Sequence, residues 1–257
     1  RKNVDGRKIV TGQPLFGLDI QKEGMQIAMI IHAPAFGQKL KSYDATRAKV
    51  MPGITDVFTI ETYAEDYNRQ WSDVDAFNEM IVVVGQTTWE VMKAKEAVQV
   101  EWETVAPLES TEDHYKNMAA MAAKPGRVLR KDGNPEGAFA KADRVIERTY
   151  TAPFLAHNTM EPMNFYADVT ADKAELIGPI QTPEFMEKSV AARLGLPLEK
   201  IDIQMTRMGG GFGRRLYGHF VVEAAVISQQ VGTPIKLVYT REDDMTFGTY
   251  RPAYHVT

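Results

Sequence analysis

The chain contains no cysteine among its 257 residues, so disulfides, iron–sulfur ligation and thiolate chemistry are excluded within it. Its five histidines, His32, His114, His157, His219 and His255, are scattered, and none forms an H-x-x-x-H or H-E-x-x-H pair that would hold zinc. Excess positive charge is also missing. The formal net charge is -4 and no basic tract is present, which argues against a surface that tracks nucleic-acid phosphates. No apolar run is long enough to span a bilayer, and the opening residues carry no signal-peptide pattern. The nucleotide signatures are absent too, both the Gly-Lys-Ser/Thr ending of a P-loop and the G-x-G-x-x-G of a dinucleotide fold. The sequence begins at Arg1 without an initiator methionine and ends at Thr257 in what reads as a strand, so it is expected to be a piece of a longer polypeptide.

What the chain does have is Arg207-Met208-Gly209-Gly210-Gly211-Phe212-Gly213-Arg214-Arg215. Four glycines in five positions let successive backbone N–H groups share one concavity and let a ligand approach the main chain closely, a geometry suited to phosphates and oxyanions. Phe220 to Val231 reads as a buried helix, so the loop is expected to feed a helix whose N-terminal end adds further donors. The plainer alternative is a turn between strand 201–206 and that helix, with Arg214 and Arg215 solvated.

The rest of the chain reads as α+β. Extended structure is expected over Ile9–Ile20, strands over Met25–His32, Ile54–Thr59, Met80–Gly85 and Gln99–Thr104, and helices over Lys39–Lys49 and Thr88–Val98, the latter with Trp89, Met92 and Val98 as core. This gives a compact domain over residues 1–105, with its Trp and Tyr residues read as core. Pro107, Pro125, Gly126, Gly133, Pro135 and Gly137 mark residues 106–144 as a connector. Residues 145–257 open with a strand over Val145–Tyr150, then carry a hairpin of Phe165–Val169 with Ala174–Ile177 around Asp172-Lys173. Gln181 stands at a strand-to-helix junction before a helix over Pro183–Leu194, where its amide can donate to a bound group or cap the helix.

Three features recur in one order: His157-x-x-Met160-Glu161-Pro162, then Gln181 before an apolar helix, then the glycine loop. In that order they resemble the large, molybdopterin-binding subunit of the xanthine oxidase family of molybdenum hydroxylases, as do Gly232-Thr233-Pro234-Ile235-Lys236 and Arg241-Glu242-Asp243-Asp244-Met245. Arg214-Arg215 after the loop is most similar to the branch of isoquinoline 1-oxidoreductase β subunits and related aldehyde dehydrogenases. The resemblance implies a hammerhead-like domain over 1–105 and the start of a molybdopterin-binding domain from 145. It implies that the backbone at Phe212 and Gly213 holds the molybdenum centre and its pterin. Gln181 would hydrogen-bond an oxygen ligand of the metal, Gly210 and Gly211 would line the loop, and Arg214 would meet the phosphates of a dinucleotide, the cytosine form being expected.

Two departures qualify the resemblance. Where many xanthine-type members carry a glutamate, four residues after the loop phenylalanine, this chain has Leu216, which disfavours purines. The family's catalytic glutamate lies far toward the C-terminus, beyond Thr257, so no catalytic residue is assigned within the chain; neither Glu161 nor Glu223 substitutes for it by motif. The chemistry needs a redox cofactor, a cradle of hydrogen bonds and a carboxylate base, and this segment supplies one cradle wall. The parent is expected to hydroxylate N-heteroaromatics or oxidise aldehydes with water as oxygen source and to pass electrons to an iron–sulfur subunit. The segment alone is expected to be inactive and empty of cofactor. A periplasmic or membrane-associated parent follows from the resemblance, with a cytoplasmic one as alternative. The competing reading is a non-catalytic binding or assembly module whose glycine loop takes an anion and whose exposed edges favour self-association.

Overall fold

The computed structural model describes residues 3–63, 68–74, 79–108 and 110–257. In chain order the strands are β1 (Gln26–Ile31), β2 (Gln38–Asp44), β3 (Ile54–Glu61), β4 (Glu79–Gly85), β5 (Gln99–Thr104), β6 (Tyr150–Ala152), β7 (Asn164–Val169), β8 (Ala174–Gly178), β9 (Ile201–Met205), β10 (Ile235–Val238) and β11 (Tyr254–Val256). The helices are α1 (Gly6–Val10), α2 (Thr46–Lys49), α3 (Thr88–Ala97), α4 (Thr111–Ala122), α5 (Pro135–Ala140), α6 (Pro183–Leu194), α7 (His219–Val231) and α8 (Arg241–Thr246). The fold class is α+β, as expected. By contacts the chain forms two compact units, one of the residues up to Pro107 with Ala156–Thr249, the other of Leu108–Leu155 with Tyr250–Thr257.

The first unit is built on a seven-stranded mixed sheet in the order β3-β4-β1-β10-β7-β8-β9. Strands from both ends of the sequence meet at its centre, where β1 pairs parallel with β10. Central strands of a sheet covered on both faces are continuous apolar runs, and β1 and β4 are buried along nearly their whole length. Their side chains still divide with period two. Ala28, Ile30, Val82 and Val84 join the cluster beneath α6 and α7, whereas Ile27, Met29, Ile81 and Val83 join the one beneath α2 and α3. Helix α7 is buried over ten consecutive residues, His219 to Ser228. Phe220, Val221, Val222 and Ile227 are fully enclosed there, each contributing roughly 1.5–3 kcal/mol by burial. Gly195 and Gly232, at φ 70° and 68°, stop α6 and α7 with left-handed caps.

Several local expectations are corrected. Lys39–Asp44, expected to be helical, lies in β2, which pairs antiparallel with β5 and sets Leu40 opposite Trp102; only Thr46–Lys49 is helical. Cross-strand packing outweighed the weak helical signal of alternating charge. Of Ile9–Ile20, expected to be extended, Ile9 and Val10 end α1 and Gly17–Asp19 form a 3-10 turn, and of Val145–Tyr150 only Tyr150 is in a strand, β6. Trp89 is 63% exposed, lying against Lys93, because Val91 and Ala94 form the inner face of α3. Trp71 is exposed as well.

In the second unit β6 pairs antiparallel with β11. Ser110 and Asn134 cap α4 and α5 by accepting the amides of Asp113 and Gly137.

Candidate cofactor site

The glycine loop leaves the end of β9 and is fixed at both ends. At its entry the Arg207 amide donates to Leu15 O, and the Arg207 side chain pairs with Asp5. At its exit Gly213 N donates to Gln181 Oε1 at 3.3 Å, and Gln181 N donates to Arg215 O at 3.0 Å. Gln181 therefore holds the loop from the junction between β8 and α6, where Thr182 Oγ1 also donates to Leu216 O. Gly213 has φ 97°, a conformation open to glycine. A Cβ on Gly211 would fall 2.7 Å from Gln181 Oε1, so the close approach of loop and glutamine also requires glycine. Phe212 has φ 55° and is 64% exposed, its ring edge lying beside Gly210.

Beneath this exposed loop lie two buried arginines, each beside a buried carboxylate. Arg214 and Arg215 are 1% and 0% exposed, so the solvated alternative does not hold. Arg214, expected to face phosphates, turns its guanidinium inward: Nη2 donates to Phe247 O at 2.9 Å, and Asp244 Oδ1 lies 3.8 Å from Nε. Arg215 donates to Gly210 O, Glu161 O and Pro179 O. Burial lowers its pKa to about 10, against the raising effect of Glu161, and it stays charged at neutral pH. Asp244 is raised by burial, opposed by Arg214 and Arg241.

Sequence reasoning missed the role of Glu161. Its Oε2 accepts Gly209 N at 2.7 Å, so the first amide of the loop already holds a carboxylate. The M-E-P motif was the one available signal. His32, at the end of the expected strand Met25–His32, lies 3.7 Å from the buried Glu223 carboxylate, which also accepts Tyr239 OH at 2.6 Å. Glu223 thus sits in an internal polar cluster. The helix expected to follow the loop directly does not add donors to it: a 3-10 turn, Arg214–Leu216, intervenes, and α7 starts only at His219.

What remains open for a ligand is backbone. Among the described residues, the amides of Gly210 and Gly211 donate to no protein acceptor, and Gln181 Nε2 donates to none. No group of three His, Asp or Glu side chains converges as a metal site among those residues. Open amides at the loop's surface and one side-chain amide, with Arg214 and Arg215 behind them already paired with Asp244 and Glu161, fit a ligand that is oxygen-rich, accepts hydrogen bonds and brings its own metal ligands.

Residues 120–257, more than half of the chain, match the sequence profile of the molybdopterin cofactor-binding domain. The chain belongs to that family. The xanthine-oxidase-family likeness carried by the three motifs is thereby shown. The chain is 28% identical over 256 residues to the membrane-bound aldehyde dehydrogenase [pyrroloquinoline-quinone] of Gluconacetobacter polyoxogenes, covering 97% of this chain and 32% of that protein. It is 27% identical over 268 residues to the isoquinoline 1-oxidoreductase subunit beta of Brevundimonas diminuta, covering 98% and 31%. Its fold matches the reconstituted CO dehydrogenase of Oligotropha carboxidovorans with a TM-score of 0.70 at 23% identity, covering 95% of this chain and 35% of that one. The chain thus spans about a third of the length of these relatives.

Proposed function

We propose that this chain forms one wall of a molybdopterin pocket in a parent enzyme that hydroxylates N-heteroaromatics or oxidises aldehydes with water as oxygen source. The observation that carries the reading is the junction of Gln181 with Gly213, which places one side-chain amide beside the open glycine amides. Gln181, Gly210, Gly211, Phe212 and Gly213 are the contact residues. Arg214 acts from behind them as a buried charge that favours the cofactor's phosphates without touching them. The cofactor supplies the redox chemistry when bound. Gln181 Nε2 orients it by donation, the loop amides of Gly210 and Gly211 stabilise its oxygens, and Phe212 keeps water from that side.

The same reading takes 1–105 as a hammerhead-like domain, 106–144 as connector and 145–257 as the start of the cofactor domain. It takes the cytosine dinucleotide as the pterin's form and an iron–sulfur subunit as partner. A quinone cofactor, suggested by one relative's name, is favoured less: the open donors here are loop amides, and the matched profile is that of a molybdopterin domain. The non-catalytic module is disfavoured by the same match. Among the described residues no helix is long and apolar enough to cross a membrane.

Molybdenum and extracted nucleotide, measured per mole on the natively purified assembly containing this chain, test the reading. Near-stoichiometric molybdenum with CMP released on hydrolysis is expected. An intact assembly without molybdenum overturns the reading.

A further inference from the structure

We propose that Glu161 and Arg215 are positioning residues that set the shape of the glycine loop before any ligand binds. The proposal rests on the reading of the loop as a cofactor cradle.

Three segments far apart in sequence meet at the Arg215 guanidinium, which is fully buried. Its Nε donates to Gly210 O at 2.9 Å, Nη2 to Glu161 O at 2.7 Å and Nη1 to Pro179 O at 3.3 Å. One planar fork thus ties the loop, the M-E-P segment and the stretch leading to Gln181. Lysine has no such fork, its donors radiating from one atom. Glu161 completes the arrangement. Its carboxylate lies 3.6 Å from Arg215 Nη2 and accepts Gly209 N, Leu18 N at 3.2 Å and Asn164 Nδ2 at 3.1 Å. Its own amide donates back to Gly209 O at 3.0 Å.

The consequence follows from peptide geometry. A peptide unit is planar and trans, so the carbonyl of one residue and the N–H of the next point in opposite directions. Holding Gly210 O inward on Arg215 aims the Gly211 N–H outward, where among the described residues it meets no acceptor. Holding Gly209 N–H inward on Glu161 withdraws that donor from any ligand. The pair therefore decides which loop amides a bound anion can use: Gly211 is offered and Gly209 is not. Such preorganisation lowers the ordering cost of binding.

Amide hydrogen exchange on the full-length cofactor-free protein tests this without a mutation. Gly209 N–H should exchange at least about a hundredfold more slowly than Gly211 N–H; equal rates overturn the proposal. Glu161→Gln and Arg215→Lys should each speed Gly209 exchange at least about tenfold while leaving exchange in β7 and β10 unchanged. In the native assembly both variants should lose molybdenum, whereas Asp243→Asn, at a buried ion pair elsewhere, should retain it. Unchanged Gly209 exchange in both variants, or molybdenum loss in Asp243→Asn equal to theirs, counts against the clamp. Wild-type assembly without molybdenum but with the expected exchange pattern overturns the cofactor reading and leaves the clamp standing.

Discussion

Gln181 Oε1 accepts the amide of Gly213 at 3.3 Å across 32 positions of sequence. With the oxygen engaged by the loop, the NH2 end of the same side chain is left to donate to a ligand.

Gln181→Glu keeps an acceptor for Gly213 and replaces the outward donor by a negative oxygen. Thermal stability should change by less than about 0.5 kcal/mol. Molybdenum retained by the native assembly should fall at least about tenfold, one lost charge-assisted hydrogen bond or more. Full retention would remove Gln181 from the site.

Gly218 precedes α7, and a Cβ there would lie 1.4 Å from the sulfur of the fully buried Met186. Gly218→Ala should cost about 1–3 kcal/mol by overpacking. In a Met186→Ala background the same substitution should cost much less, because the space has been vacated. Urea unfolding of the four proteins measures the coupling, and strict additivity would show that the clash does not set the cost.

Burial lowers the His219 pKa from 6.5 to about 3, helped by Arg214 and His32 and opposed by Glu223. The folded protein keeps this ring neutral while the unfolded chain protonates it near 6.5, so below that pH the unfolded state binds more protons. Stability attributable to His219 should be constant above 6.5 and fall by up to about 1.4 kcal/mol per pH unit between there and 3. His219→Gln should flatten the measured dependence of unfolding free energy on pH in that window. An unchanged slope would mean that the ring is not held neutral.

Asp243 is buried, receives Lys95 Nζ at 2.6 Å and accepts Thr240 N at the start of α8. Asp243→Ala strands the ammonium and removes one of the two capping-box bonds, Thr240 Oγ1 still accepting the amide of residue 243, and should cost about 3–5 kcal/mol. Adding Lys95→Met should recover part of that loss in a denaturant titration, since no charge is then left without its partner. A further drop instead would show that Lys95 stabilises the fold without Asp243.

Much of the fold was legible because its signals are local. Pro183 and Gly195 bound α6 where the sequence places it, and the turn at Asp172-Lys173 joins β7 to β8 in the expected hairpin. The apolar run of β4 and the helical run of α7 announce themselves by period and composition. Trp89 and Lys39–Asp44 went the other way, because which face of α3 is covered and whether β2 finds β5 are decided by neighbours distant in sequence.

The site divides along the same line. By itself the sequence determined the glycine loop, the glutamine before α6 and the family, since backbone permissiveness and motif order are written in consecutive residues. Only the tertiary structure decided that β1 and β10 share a sheet, that Arg214 and Arg215 turn inward, and that the Glu161 carboxylate occupies Gly209. The physical reason is that a buried charge must find its partners wherever the fold supplies them. For Arg215 these lie 54 and 36 residues away, at Glu161 and Pro179.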